Sequence, residues 1–405
     1  VAEILERSGY RVLVKVEVPA ETVQSRYQAM LSEYQKRLRV PGFRPGKAPL
    51  KVVEARLGRE ELRAELKERL VDETYPQAVA ELSLVPVAAR VVEERLEEGQ
   101  PFVYVAEVET YPEVRLPDWR GFTLEAQAPE ATEEMVEKAL EELRARYAEL
   151  VPVERGAEEK DHVFVETEDG AQFPIDLEKA LPHVREALLG KRAGEEVLVP
   201  VKDEEGRTVR EVRVKVLEVK TLQVPELDEE FAKTVGAESL EELRARVRQS
   251  LEEEARRRHQ EALKEELLDK LAQGLEAEIP PSMVREEERH LLEHLAEDLA
   301  RAGVRLEDYL ESLKQKGEYE KFLEDLKETA LVRVKKALAK EKLAEELSPE
   351  LSEEEWQAYL QALARSLGTG LEGLKAELGE RGLARLRAGR LQEKALEEAV
   401  RTLTA

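Results

Sequence analysis

Gly42-Phe43-Arg44-Pro45-Gly46-Lys47-Ala48-Pro49 is the stretch on which the reading of this chain depends. From Tyr34 to Val53 no acidic residue occurs, yet Lys36, Arg37, Arg39, Arg44, Lys47 and Lys51 all fall there, in a chain of formal net charge -25. Helix-forming sequence flanks the stretch. Pro41, Gly42, Pro45, Gly46 and Pro49 therefore predict a short rigid loop at the tip of a helical hairpin, with Phe43 projecting among cations. A charge run alone is most often a solvated turn over a neighbouring core. Segregation this complete in so acidic a chain points instead to docking, because the rest of the surface repels polyanions and their binding has to pass through a local basic patch. Only the N-terminal region offers one.

Outward from the loop, Arg11 to Val18 alternates strictly, with Val12, Val14, Val16 and Val18 on one face, and Pro19 ends this half-buried strand. Glu21 to Leu38 has a helical pattern, and Leu50 to Leu84 resumes as helix after the loop. Val87 to Leu96 and Phe102 to Thr110 read as two more strands, joined through Glu98-Gly99-Gln100-Pro101. Residues 1-110 thus form a small α+β domain with a projecting helical hairpin.

The motif Gly-Phe-Arg-x-Gly-x-x-Pro, spelled by Gly42 to Pro49, resembles the ribosome-docking signature of trigger factor, the bacterial chaperone family that receives nascent chains at the tunnel exit. The resemblance implies that Gly42, Phe43, Arg44, Gly46, Lys47 and Pro49 bind the large ribosomal subunit, touching protein and ribosomal RNA. Many relatives carry Lys directly after the Arg. Here that position is Pro45, and the nearest cation is Lys47.

Residues 111-150 read as a linker, broken by Tyr111-Pro112 and Leu116-Pro117, followed by a helix from Thr132 to Leu150. Its stripe of Val136, Leu140, Leu143, Tyr147 and Leu150 needs helical partners from much later in the chain. Across residues 151-222 the period changes to two. Asp161 to Glu166, Glu195 to Val201 and Thr208 to Val219 are strand-like, with a hairpin turn at Thr167-Glu168-Asp169-Gly170.

Asp169-Gly170-Ala171-Gln172-Phe173, Leu181-Pro182-His183-Val184 and Gly190-Lys191-Arg192-Ala193-Gly194-Glu195-Glu196 follow the order of an FKBP-type prolyl isomerase, the domain trigger factors carry here. That activity needs an apolar aromatic cleft to favour the twisted amide, whose rotation barrier is roughly 18–20 kcal/mol. The resemblance makes Phe173, Leu181 and Val184 the candidate catalytic pocket. The cleft is eroded: Pro174 replaces the acidic residue after the pocket Phe, and Leu181-Pro182-His183 then Val184 stands for Ile-Pro-Gly then an aromatic. Val165 and Val212 occupy two other aromatic positions, and the flap is cut to Lys202 to Arg207. A folded insert with weak or absent isomerase activity is expected.

Residues 223-405 read as a helical chaperone body. Pro225 to Lys233 and Ile279 to Glu287 are again similar to trigger factor, and Ser239 with Glu242 spells a capping box. Helices are expected from Ser239 to near Gly274, from the Ile279 stretch to Gly303, and over Leu306 to Lys316, Glu318 to Leu347, Ser352 to Leu367 and Leu383 to Leu403. In the family such helices form arms that hold unfolded segments by dispersed weak contacts. With only Met30, Met135 and Met283, adaptability has to come from Leu, Val and Ala surfaces.

Two motifs are declined. His290-Leu291-Leu292-Glu293-His294 matches an inverted zinc-protease pattern, but three fixed letters arise readily in a Glu- and Leu-rich chain and no third ligand is identified. Gly368 to Gly373 matches a dinucleotide glycine pattern but follows a helix, the wrong context for a phosphate cradle.

The fold class expected is therefore multidomain α+β: the small N-terminal domain, a β-rich FKBP-like insert and a mostly helical C-terminal body with arms. No Cys occurs, which excludes disulfides, thiolate metal sites and cysteine nucleophiles, and no cofactor is expected. The missing Asn, beside abundant Glu and Arg, suggests a thermophilic source. The start of the chain lacks the pattern of a signal peptide, and no apolar run reaches membrane-span length. The expectation is a cytoplasmic, partly ribosome-bound chaperone that keeps unfolded or nascent polypeptides open and releases them without ATP, with neither membrane nor DNA as partner and a homodimer allowed off the ribosome. By family resemblance it extends to roles in protein export and cell division. The alternative is a free-standing prolyl isomerase whose helices recruit substrate; a purely structural scaffold leaves the basic loop unexplained.

Overall fold

The computed structural model describes residues 1–405, which divide into two compact units, residues 1–125 with 263–405 and residues 126–262. The chain opens with strands β1 (Ala2–Ser8) and β2 (Arg11–Val18), helices α1 (Ala20–Arg37), α2 (Leu50–Leu57) and α3 (Arg59–Glu81), then strands β3 (Pro86–Arg95) and β4 (Phe102–Thr110). The four strands form an antiparallel sheet in the order β1-β2-β4-β3. Register explains its core. Val12, Val14, Val16 and Val18 lie opposite Val108, Ala106, Tyr104 and Phe102, so directly paired residues share one face. That face is buried beneath Val23, Met30 and Leu31 of α1 and Leu62, Leu66 and Leu70 of α3. Each fully buried aliphatic side chain contributes about 1.5–3 kcal/mol, which makes this alternating strand the anchor of the domain.

One expectation is corrected here. The helical stretch from Leu50 to Leu84 is two helices, because Gly58 adopts φ +91°, which ends α2 and starts α3. β1 has no counterpart in the sequence reading: it is an edge strand with almost no buried residue, and Glu3, Glu6 and Arg7 mask any alternation.

The second unit begins beyond a single 3₁₀ turn at Trp119–Gly121. Helix α4 (Glu133–Arg146) is capped by the Thr132 hydroxyl, which accepts from the Met135 amide. It stops before Leu150, which was expected to continue it. Leu150 instead pairs with Leu222 in strand β5 (Glu149–Pro152), where Pro152 also holds Val151 in extended backbone. Strands β6 (His162–Thr167) and β7 (Gln172–Asp176), helix α5 (Pro182–Leu188), and strands β8 (Glu196–Lys202) and β9 (Thr208–Gln223) follow. β9 is the spine of this sheet, bonded to β5, β6 and β8, with β7 outside β6. β7 was not foreseen because Pro174 interrupts it, which an edge position tolerates. Val163, Val165, Leu177, Leu188, Val214, Val216 and Val219 fill the core.

Helix α6 (Glu229–Thr234) and the start of α7 (Leu240–Gly274) supply the partners of α4: Val136 and Leu140 pack with Phe231, Ala232 and Leu243. The Ser239 hydroxyl accepts from the Glu242 amide, and the Glu242 carboxylate accepts from the amide of Glu238, one residue earlier than a standard capping box.

From residue 263 the chain belongs to the first unit again, through the end of α7 and helices α8 (Pro281–Arg301), α9 (Leu306–Lys316), α10 (Tyr319–Leu347), α11 (Glu353–Ser366) and α12 (Leu371–Thr404). α8 packs on α10, α10 on α12, and α11 on α12, where Trp356, Leu360 and Ala364 meet Leu374. α12 starts twelve residues before the expected Leu383, with a non-helical kink at Gly379. Within this unit the carboxylate of Glu109 at the end of β4 accepts from the amide of Ser282, capping the N-terminus of α8 where Pro280 and Pro281 offer no donor. No helix is long and apolar enough to cross a membrane. The architecture is multidomain α+β, as the sequence implied.

Candidate docking loop and isomerase pocket

The loop between α1 and α2 is built from two consecutive turns of the same kind. The Phe43 amide donates to the Val40 carbonyl at 3.2 Å across Pro41-Gly42, and the Lys47 amide donates to the Arg44 carbonyl at 2.9 Å across Pro45-Gly46. Gly42 has φ +88° and Gly46 φ +78°. Proline first and a positive-φ glycine second is the chemistry of a type II turn. A Cβ added at either glycine meets no atom within 4 Å, so glycine is required here by backbone conformation and not by space.

The base of the loop is closed by Gln35 of α1, whose amide nitrogen donates to the carbonyl of buried Ala48 at 2.5 Å. Val53 of α2, fully buried, pins the other side. No sequence signal marked Gln35: a polar residue in the last turns of a helix has many ordinary roles. Between the two turns Phe43 stands 44% exposed, which is unusual for a phenylalanine with a core close by. Gly42, Arg44 and Pro49 are exposed too, as is Lys47, and Gly46 is half-buried.

The electrostatics depend on what the nearest acids do. Glu33 and Glu54 bound the acid-free window, and both are engaged elsewhere: Glu33 with Arg69 of α3 at 2.9 Å and Arg37 at 3.2 Å, Glu54 with Arg59 at 2.8 Å. The hydrogen bond from Arg69 holds the Glu33 carboxyl below the usual carboxylate range. Among the described residues Lys36, Arg39, Arg44, Lys47 and Lys51 enter no ion pair. The loop thus presents an uncovered aromatic ring amid cations that nothing in the chain neutralises.

The pocket residues fare differently. Phe173 lies opposite Val165 and shares its core-facing side of the sheet, but on edge strand β7 it is 42% exposed. Leu181, the residue before α5, is 63% exposed, whereas Val184 is partly buried against the core of Val163, Leu177 and Leu188. Val165 is wholly buried, so its side chain is core and does not line a cleft. Of the declined motifs, His290 approaches Glu286 and Glu293, and His294 approaches Glu297, all on α8. Gly368 to Gly370 connects α11 to α12 with no strand before it.

A hairpin-bearing α+β domain, a strand-rich insert and a helical C-terminal part make up a multidomain α+β architecture. Residues 2–143 match the family model described as bacterial trigger factor protein, and residues 239–401 match that of the trigger factor C-terminus. The chain belongs to the trigger factor family. It is 68% identical over 402 residues to a trigger factor of Thermus thermophilus, covering 99% of this chain and 100% of the relative. Its identity to the trigger factor of Deinococcus deserti is 38%, over 100% of this chain and 93% of that one. A solved trigger factor chaperone, described in terms of promiscuous substrate recognition in folding and assembly, aligns over 100% of both chains at 27% identity with a TM-score of 0.58.

Proposed function

We propose that this chain docks on the large ribosomal subunit at the tunnel exit through Gly42, Phe43, Arg44, Gly46, Lys47 and Pro49, and shields emerging polypeptides there in the cytoplasm. The observation that carries the reading is the loop itself: two rigid Pro-Gly turns present an exposed Phe43 and unpaired cations from an otherwise acidic chain. Rigid turns lower the entropy lost on docking, and an aromatic flanked by Arg is the composition of an interface hot spot. The family's chaperone role and the promiscuous substrate recognition of the solved relative support client holding. Singly exposed apolar residues along the helices, Leu323 and Val332 of α10 among them, suit dispersed weak contacts that let go without ATP. The division of labour follows the sequence: residues 1-110 dock, 151-222 form the reduced isomerase-like insert, and 111-150 with 223-405 hold clients.

Catalysis is assigned a minor part. Phe173 and Leu181 are open to water, and an amide in transit from its planar form gains little from such surfaces. The test of docking is co-sedimentation with bacterial ribosomes for the parent chain and for Phe43→Ala with Arg44→Ala. The parent pellets with ribosomes and the double variant stays in the supernatant. Equal pelleting of the two overturns the assignment of the loop.

A further inference from the structure

Residues 111–125, which follow β4, lie along the helical body as an extended strap. They contain no helix or strand beyond the 3₁₀ turn at Trp119–Gly121 and one isolated bridge at Arg115. An irregular stretch this long is usually either a functional loop or a free linker, and this one is not free. Its burial alternates. Pro112, Val114 and Leu116, then Phe122 and Leu124, are buried or half-buried, while Glu113, Arg115, Thr123 and Glu125 between them are exposed. Between the two runs Trp119 is 3% exposed, in a turn that packs against α12.

The strap is held largely by its own main chain. The Arg115 amide donates to the Glu276 carbonyl at 2.9 Å, and the Glu276 amide donates back to the Arg115 carbonyl at 3.0 Å. From the last turns of α7 the Lys270 ammonium donates to the Thr123 carbonyl, and the Glu266 carboxylate accepts from the Glu125 amide at 2.7 Å. Lys270 and Glu266 are themselves paired at 3.3 Å, so two side chains one turn apart offer the donor and acceptor that a neighbouring strand would offer. Backbone groups are common to every polypeptide. Only the apolar positions select.

Resting on the client-holding reading above, we infer that this face of α7 and α12 is a binding site for an extended polypeptide segment with apolar residues at alternate positions, filled in cis by residues 111–125 and opened to clients when the strap lifts.

Trp119 makes the strap replaceable. Its indole N–H is buried and finds no hydrogen-bond partner, a desolvated donor that works against the closed state. A client phenylalanine or leucine in the same place strands no donor. Main-chain bonds give affinity for any extended chain and the apolar seats give a loose preference, which is the mode of strand addition. Tethering favours the strap through its effective concentration and keeps the site covered until a client competes.

The closure can be locked. A Cβ on Gly274 at the end of α7 lies 2.9 Å from the Cβ of Pro117, so Pro117→Cys with Gly274→Cys forms a disulfide after a small shift, in a chain with no other cysteine. Binding of reduced and carboxymethylated α-lactalbumin, a permanently unfolded client, is measured for the parent and for the double variant, oxidised and reduced. Oxidation is expected to weaken binding at least about tenfold, because the locked site has no open fraction, and reduction restores the parent's affinity. In the parent the client speeds hydrogen exchange at the Arg115 and Glu125 amides. Equal binding by the oxidised and reduced double variant overturns the inference, as do exchange rates at those two amides unmoved by the client. A parent that does not bind the unfolded protein overturns the client-holding reading instead.

Discussion

Asp161 is one of the most buried charged residues in the chain, at 2% exposure, and the integrity of the insert depends on how it is satisfied. Its Oδ2 accepts from Arg155 Nη1 at 2.5 Å and from the Glu158 amide at 2.8 Å, and its Oδ1 accepts from Arg155 Nη2 at 3.2 Å. Thr221 of β9 adds a further hydrogen bond. Burial opposes ionisation, but the Arg155 guanidinium, the Glu158 amide and Thr221 outweigh it and hold the Asp161 carboxyl below its ordinary value. Breaking a buried pair costs about 3–5 kcal/mol when a charge is left uncompensated. Arg155 is more than a third exposed and turns to water when its partner is removed, so Asp161→Ala is expected at the lower value of about 2–3 kcal/mol. Arg155→Ala strands the buried carboxylate and costs about 3–4 kcal/mol. Asp161→Asn keeps an acceptor and loses the charge, for about 1–2 kcal/mol.

Hydrogen exchange on the intact chain reads these values. Amides of β6 and of Lys215 to Thr221 in β9 lose protection by about 30- to 150-fold in Asp161→Ala, at 1.4 kcal/mol per factor of ten. Val12 to Val18 in the first sheet is the internal control and keeps its protection. The sign of the pH dependence is fixed by the lowered carboxyl: its contribution is complete above the ordinary Asp value near 4 and is lost as pH falls below that toward the lower folded-state value. The insert of the parent therefore loosens more steeply than that of Asp161→Asn as pH falls below about 4. Unchanged protection in Asp161→Ala, or equal loss in both sheets, refutes the reasoning.

The two type II turns are tested by Gly42→Ala with Gly46→Ala. The positive φ at each costs an alanine about 1–2 kcal/mol without any clash, so ribosome co-sedimentation weakens by at least about tenfold while the sheet core keeps its unfolding midpoint; parent-level binding speaks against a preformed loop. The intact chain is expected to accelerate isomerisation of a proline-containing tetrapeptide weakly or not at all, with Phe173→Ala changing little. Turnover that collapses in Phe173→Ala would restore a working pocket.

How much of this was legible in the sequence depends on whether a residue's partner lies nearby in the chain. The valine alternation of β2 predicted both its limits and its buried face, because a half-buried strand needs nothing beyond period two. β1 and β7 were hidden for the converse reason: their stability comes from pairing with a neighbour, and their own side chains are mostly open to water. Gly58 was visible as a glycine, but its positive φ follows from the way α2 packs against α1 and α3. The docking loop announced itself through Pro41-Gly42 and Pro45-Gly46, since proline and glycine act on the backbone locally. Its electrostatic character did not. That acids are missing from residues 34 to 53 is a fact of sequence, but unpaired cations are a fact of structure. It required Glu33 to be drawn to Arg69, thirty-six residues away, and Glu54 to turn to Arg59. Had either carboxylate folded back over Lys36 or Lys51, the same sequence would have carried one free cation fewer. The number of unpaired cations on the loop is therefore a tertiary property, held in place by α3, the second helix after it.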